Sequence, residues 1–483
     1  MFRSRLDPQD DSHTLQPWYW RWIRLRHQLT KPYFLLAVTF AFAIAVGAEL
    51  LALPFCTVAG SISQHDAWFT STSAICVTGL TTRPTSTFTF WGQLVIVVLI
   101  QLGGIGIMTL STIFFLGLRK KATLYEQGYL REFYGADVSN NLPRVVLRVM
   151  TYILSIEGLG ALLLFARVVS AKSGEVGWSG HVFRSAWWAI FHSVSAFCNA
   201  GFGLEDDNLM GYADDSLVNV VVMGLIVSGG LGFFVLADLH QRWLTWRRRE
   251  TAKLRFQSRM VLFLTAFLIL FGAAVLWGLE RSNAASLANR SWHESTWVCF
   301  FQSVTCRTAG FNTIDLNLLT PASILLLMIL MFIGAAPGGT GGGIKVTTFG
   351  VLLAQMMFSI SPRREPGVMG RAFARTTIRN AVALTVCALG LMVVGTGLVV
   401  AFQHEGPSST AQGLFLDSLF EVISAQGTVG LSLGLTSHLE IGSKWVIIVM
   451  MFLGRIGPWG MFSAALEHDE YAVEYPFESV NIG

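Results

Sequence analysis

Long apolar runs organise this chain. Tyr33–Leu53, Leu94–Leu118, Met260–Leu279 and the run from Ala322 through Ile333 carry almost no charge, and several approach the roughly 20 residues with which a helix crosses a bilayer. Eight spans fit, at about 33–53, 92–118, 148–169, 216–240, 257–280, 322–357, 376–403 and 444–466. Between them, Ala67–Cys76, Ala186–Cys198, Thr296–Cys306 and Gly413–Ala425 are helix-like but about half as long, which predicts pieces that dip into the membrane and return.

The four dips resemble one another. The first reads FTSTSAICVTGL (Phe69–Leu80), the second FHSVSAFCNAGF (Phe191–Phe202) and the fourth FEVISAQGTVGL (Phe420–Leu431), each with Phe ten residues before Gly. The third, FQSVTCRTAGF (Phe301–Phe311), is one residue shorter from Phe to Gly. The anchor glycines Gly79, Gly201, Gly310 and Gly430 are spaced by 122, 109 and 120 residues, as two spans plus one dip require. The expectation is an all-α integral membrane protein of four M1–pore loop–M2 repeats, with eight transmembrane helices and four half-spanning pore helices around a pseudo-fourfold pore. Its parts are an N-terminal segment 1–32, repeats at 33–118, 148–240, 257–357 and 376–466, and a tail 467–483.

Composition agrees: 53% of residues are hydrophobic, 13% are charged and the mean hydropathy is +0.54, outside the range of an ordinary soluble domain. Residues 1–32, 119–148, 242–259 and 360–379 hold 24 of the 34 basic residues, whereas the alternate segments hold eight. The positive-inside rule therefore puts both termini in the cytoplasm. The outer segments carry 14 acidic residues, among them Glu205, Asp206, Asp207, Asp214 and Asp215; they read either as a cation-gathering mouth or as a solvated loop face. The N-terminus has no signal-peptide pattern. Six cysteines without a C-x-x-C pair suggest small buried side chains and neither a zinc site nor a disulfide framework.

Backbone left unpaired at membrane depth must line a watery path or be buried in protein. Four glycine-bearing strands, each after a short helix, can aim carbonyl oxygens at an axis and replace the water shell of a monovalent cation, with the negative helix ends adding to the field. The candidate strands are Val77-Thr78-Gly79, Asn199-Ala200-Gly201, Thr308-Ala309-Gly310 and Thr428-Val429-Gly430. The last matches the T-V-G of a K⁺ channel. A glycine as a simple helix stop explains any one of them but not the fourfold recurrence.

The sixth span contains Gly334, Pro337, Gly338, Gly339, Thr340, Gly341, Gly342 and Gly343, too many helix breakers for a regular helix. The unwound part belongs inside the bundle beneath the strands, where it can plug the path or swing aside. It is no nucleotide P-loop, because Lys345 follows Ile344 instead of Gly343 and no strand precedes it. Lys345 itself reads as a cap on broken-helix carbonyls or as part of a gate. Arg455 lies within the last span, where a charge marks a pathway or a partner; the alternatives are an arginine reaching the membrane surface or an ion pair with Glu157 or Glu49. Gly103-Gly104-Ile105-Gly106 and Gly229-Gly230-Leu231-Gly232 read as close helix packing.

The four pore loops, the run APGGTGGGIKVTT (Ala336–Thr348), the segment FLGRIGPWG (Phe452–Gly460) and the tail YAVEYPFESVNIG together resemble the Trk/Ktr/HKT superfamily of K⁺ transporters over nearly the whole chain from about residue 33. Eight spans instead of ten look more like the KtrB-type subunits than TrkH. The resemblance implies K⁺ selectivity, since Gly79 stands where a serine accompanies Na⁺ permeation, and a gate formed by Gly338–Gly343 with Arg455 below the filter touching it. It also implies a homodimer in a bacterial plasma membrane, docked on a cytoplasmic KtrA-like nucleotide-binding ring that would take ATP or ADP, and a stimulation by Na⁺. Basic loops 119–148 and 242–259 and the tail suit that docking or the attraction of anionic lipid; nucleic acid is not an expected partner. A Na⁺- or H⁺-coupled carrier and a TrkH-like member are the competing readings. The carrier is disfavoured because all four dips enter from one side, and an enzyme because the spans hold no His/Asp/Glu metal cluster and no nucleophile paired with a base.

Overall fold

The computed structural model describes residues 32–104, 142–171, 178–249, 253–360, 367–368, 371–404, 406–407 and 410–457. It is helical apart from a two-residue-per-strand ladder pairing Gly367–Val368 with Arg371–Ala372. Helices α1 (Pro32–Leu51), α2 (Gln64–Ile75) and α3 (Phe90–Gly104) come first, then α4 (Leu142–Ala171), α5 (Trp178–Phe197), α6 (Ser216–Leu231) and α7 (Phe233–Arg247). They are followed by α8 (Phe256–Glu280), α9 (Trp292–Thr305), α10 (Pro321–Phe332) and α11 (Val346–Ile360), and finally by α12 (Arg375–Phe402), α13 (Ala411–Gly427) and α14 (Ile441–Ile456).

Among the described residues, α8, α12 and the Leu147–Ser170 part of α4 are long and apolar enough to cross a membrane, and α6 with α7 makes a fourth if the bent pair is one span. The apolar helices Ala37–Leu51, Phe90–Gly104, Pro321–Phe332 and Val346–Ile360 are shorter. Expected spans 92–118 and 444–466 run on into residues outside the described ones, as do the segments 1–32 and 467–483 and most of loop 119–148.

Two expectations need correction. The stretch 216–240 is not one straight helix, because α6 and α7 meet at 102° across Gly232, whose φ of 80° and ψ of 152° only glycine adopts at no cost. The second short helix, α5, has 20 residues and is nearly as long as a span.

Local chemistry sets the starts of the short helices. Ser63 caps α2, Ser291 and Glu294 form a capping box on α9, and Thr410 caps α13. Phe69, Phe191, Phe301 and Phe420, the residues that open the repeated motif, are fully buried. A second contact recurs beside them. Ser71, Ser193 and Ser303 donate from their hydroxyls to the carbonyls of Ile44, Glu157 and Ile269 at 2.7, 2.7 and 2.8 Å. A glycine three positions beyond each carbonyl, Gly47, Gly160 and Gly272, leaves the space, since a Cβ there would crowd the serine oxygen. In the last unit Gly395 meets Val422 instead. Serines and glycines are thus set among buried phenylalanines in the centre, while Phe42, Leu154, Phe263 and Val393 lie exposed on the outside. So much exposed apolar surface suits contact with lipid.

Candidate ion pathway

Each short helix ends in a residue forced into left-handed backbone: Val77, Asn199, Thr308 and Thr428 have φ of 55°, 59°, 72° and 50°. Two residues on, Gly79, Gly201, Gly310 and Gly430 have φ of 91°, 71°, 74° and 96°. Positive φ is an outlier for a β-branched residue, and three of these four non-glycines are β-branched. Strain of this kind costs about 1–3 kcal/mol per residue and clusters at functional sites. Alternating handedness lets consecutive carbonyls face the same side, which a regular strand forbids.

The four strands close into a ring. A Cβ placed on Gly79 would overlap the carbonyl oxygen of Ala200, one on Gly201 would stand 2.6 Å from that of Ala309, one on Gly310 would overlap that of Val429, and one on Gly430 would overlap that of Thr78. Each glycine therefore abuts the middle carbonyl of the next strand, and the fourth strand returns to the first. Hydroxyls at the short-helix ends brace the strands: Ser73 and Ser424 accept from the N–H of Gly79 and Gly430, both at 3.0 Å. Ser195 and Thr305 donate to the carbonyls of Phe202 and Phe311, both at 2.8 Å. The one-residue deletion of the third motif is absorbed here, with Thr305 standing five residues before its glycine where Ser73 stands six.

The interruption between α10 and α11 is a loop whose stems pair with each other. Ile333 and Ile344 form a parallel bridge, Gly334 N–H donates to Ile344 at 2.7 Å and Val346 N–H donates to Ala335 at 3.1 Å. Its tip is pressed against the inner ends of the strands. Gly342 N–H donates to the Thr428 hydroxyl at 2.9 Å, and a Cβ on Gly341 would overlap the Thr308 hydroxyl. Asn199, its amide set to satisfy its neighbours, donates to Ile226 and Ala196 and accepts from the Thr308 hydroxyl at 3.2 Å.

The α6 glycines are the cradle for this loop. The carbonyl of Gly230 accepts from Ala336 at 3.0 Å and that of Gly229 accepts from Thr340 at 3.1 Å, while Phe233 N–H donates to Gly338 at 3.3 Å. The packing expected of Gly229-Gly230-Leu231-Gly232 is thus packing against the loop and against the carbonyl end of a short helix, because a Cβ on Gly229 would overlap Phe197 O. Gly103 meets Ile75 O and Gly454 meets Gln426 O in the same way; Ile105 and Gly106 lie outside the described residues.

The guanidinium of Arg455 donates to two carbonyls, Thr340 in the loop and Gly103 at the end of α3. Its partners among the described residues are these carbonyls and not Glu157 or Glu49. Glu157 instead accepts from the amide of Gln101 at 3.2 Å. Lys345 donates to the Gly341 carbonyl within the loop at 2.8 Å.

The family model described as TrkH, a cation transport protein, matches residues 32–470. The chain belongs to the TrkH family. This family comprises transporters and not enzymes. The chain is 37% identical to the Ktr system potassium uptake protein B of Bacillus subtilis over 96% of its own length and 98% of the relative's. It is 34% identical to the protein of the same name from Vibrio alginolyticus, over 93% and 94%, and 35% identical to the potassium/sodium uptake protein NtpJ of Enterococcus hirae, over 95% and 99%. The crystal structure of the potassium transporter TrkH from Vibrio parahaemolyticus shares the fold, with a TM-score of 0.66 at 19% identity over 95% of this chain and 87% of that one.

In this TrkH-family chain the outer ends of the strands are bracketed by a residue that sequence reasoning missed. Asn208, itself at φ 59°, donates to the Gly201 carbonyl at 3.3 Å and accepts from Asn312 N–H at 3.4 Å, spanning the second and third strands. Only the tolerance of Asn for left-handed backbone hints at it in the sequence. Of the acidic residues expected at the mouth, Glu205, Asp206, Asp207 and Asp214 are exposed, whereas Asp215 caps α6 and pairs with Arg167 at 2.8 Å. The first and last units are joined by Asp66, buried at the start of α2, which pairs with Lys444 at 2.7 Å and with Arg83 at 3.5 Å. Five of the six cysteines are buried and Cys387 is half-buried.

Proposed function

We propose that this chain is the pore subunit of a K⁺ uptake system, passing K⁺ selectively across the plasma membrane. Four M1–pore loop–M2 repeats, 33–118, 148–240, 257–357 and 376–466, surround one path. Val77–Gly79, Asn199–Gly201, Thr308–Gly310 and Thr428–Gly430 are its filter, and Gly338–Gly343, with Lys345 and Arg455, are its gate. The observation that carries the reading is the ring of glycines, each against the middle carbonyl of the next strand, because such a ring offers a dehydrated cation carbonyl oxygens from four sides. The loop beneath it touches the inner strand ends through Gly341 and Gly342, where a plug must sit to stop flux.

The names of the relatives support K⁺ as the transported ion, and that of NtpJ adds Na⁺ as a second candidate. A homodimer, a cytoplasmic KtrA-like ring binding ATP or ADP, Na⁺ dependence and cytoplasmic termini complete the proposal. The test is flux into liposomes holding the purified chain. K⁺ and Rb⁺ are expected to enter well ahead of Na⁺; equal Na⁺ and K⁺ entry refutes the filter assignment. Adding the nucleotide-binding partner should make K⁺ flux respond to ATP and ADP.

A further inference from the structure

Arg307 is one residue ahead of the third filter strand and is only 7% exposed. None of the ion pairs among the described residues includes it. A guanidinium taken out of water without an anion is costly, and its desolvation offsets what its hydrogen bonds contribute to stability. Stability therefore does not account for this residue.

Its contacts do. Nη1 donates to the Thr265 carbonyl in α8 at 3.4 Å, and Nη2 donates to the Gly334 carbonyl at 3.3 Å. Gly334 is the first glycine of the interruption and pairs with Ile344 in the opposite stem. The guanidinium lies beside a small, largely apolar pocket lined by Ile226, Val227, Gly230, Ile269, Val304 and Ala335, which offers no anion to pair with it. Arg455 holds the tip of the loop at Thr340, and Arg307 holds its root at Gly334. The peptide that carries Arg307 continues directly into Thr308, whose hydroxyl meets Gly341 in the same loop.

The geometry points to Arg307 as a positioning residue that pins the root of the loop to α8 and to the third filter strand, so that the loop rests closed. This inference builds on the reading of the loop as a gate. Two carbonyls in different elements need two N–H groups fixed in a fork, which arginine supplies and lysine does not.

The experiment is K⁺ and Na⁺ flux in liposomes with the full chain carrying Arg307→Met, Arg307→Gln or Arg307→Lys, beside a deletion of Gly338–Gly343, with thermal unfolding in detergent. Arg307→Met is expected to raise basal K⁺ flux at least fivefold, with the K⁺/Na⁺ ratio within twofold of the parent and no loss of thermal stability; Arg307→Gln covers the case in which the methionine variant does not fold. Arg307→Lys should be intermediate, and Arg307→Met should add nothing once the loop is deleted. If the deletion raises flux but the Arg307 variants do not, or if Arg307→Lys restores the resting level fully, the pin is refuted while the gate stands. If Arg307→Met changes selectivity and leaves basal flux alone, Arg307 belongs to the filter and the proposal is overturned. If the loop deletion leaves folded protein with unchanged flux, the gate reading falls and takes the pin with it.

Discussion

Replacing Arg455 by glutamine removes a guanidinium that joins the loop to α3 through the Thr340 and Gly103 carbonyls. A hydrogen bond to a charged donor is worth about 1.5–3 kcal/mol. Only the Thr340 bond holds the loop directly, so about 2 kcal/mol is the relevant loss, roughly a thirtyfold change in the closed-to-open ratio. A minor state of a two-state protein is populated at about 0.1–10%. For a loop resting open about 1% of the time, a thirtyfold shift raises the open fraction to about 20% and basal flux about twentyfold. Folding stability should barely move, because the Nε of Arg455 is buried without a partner among the described residues and the cost of burying the guanidinium offsets much of what the two bonds contribute. The assay is Rb⁺ entry into liposomes without any partner subunit, with melting in detergent alongside. Basal flux within twofold of the parent in a protein that melts normally refutes the reasoning, because the bond would then not discriminate closed from open.

Three further outcomes follow from the same contacts. Gly79→Ser puts a Cβ at φ 91° onto the Ala200 carbonyl and should lower the K⁺/Na⁺ flux ratio at least tenfold, whereas an unchanged ratio removes the first strand from the filter. Thr428→Val keeps the shape but leaves the Gly342 N–H without its acceptor, a loss of about 1–3 kcal/mol; basal flux should rise severalfold and Thr428→Ser should return it to the parent level. Lys444→Met strips Asp66 of its close partner while the carboxylate stays buried. Because Arg83 and the Ser63 hydroxyl still reach Asp66, thermal unfolding should report a loss of about 1–3 kcal/mol, and an unchanged midpoint would show the Lys444 pair to be dispensable.

Helix positions and the strand residues were legible in the sequence because both rest on local pattern. Apolar length announces a helix, and a Phe ten residues before Gly marks a short helix followed by a bend. The break in the sixth apolar stretch was legible for the same reason, since Pro337 and its glycines veto a helix. What escaped depends on residues distant in the chain. The bend at Gly232 falls in Gly229-Gly230-Leu231-Gly232, a run equally compatible with a straight, closely packed helix; the choice is set by the loop at 336–340, which hydrogen-bonds to the freed backbone. Arg307 stands in the third repeated motif without any local mark, since only the fold shows that this basic residue turns to Gly334. Arg455 stood out as a charge in an apolar span, but its preference for two carbonyls over Glu157 needed coordinates.

The strand ring has a consequence for biogenesis. Its last joint is between Gly430 and Thr78, with Lys444 and Asp66 beside it, and so unites the earliest and the latest parts of the chain to be made. Until residues 428–430 have been made the ring lacks its fourth strand, and until α14 has been made the loop lacks its contact to Arg455. A chain that stops before residue 428 thus has neither all four strands nor the Arg455 contact to the loop. Truncation before α14 should leave a nascent membrane protein that quality control can distinguish from the sealed one.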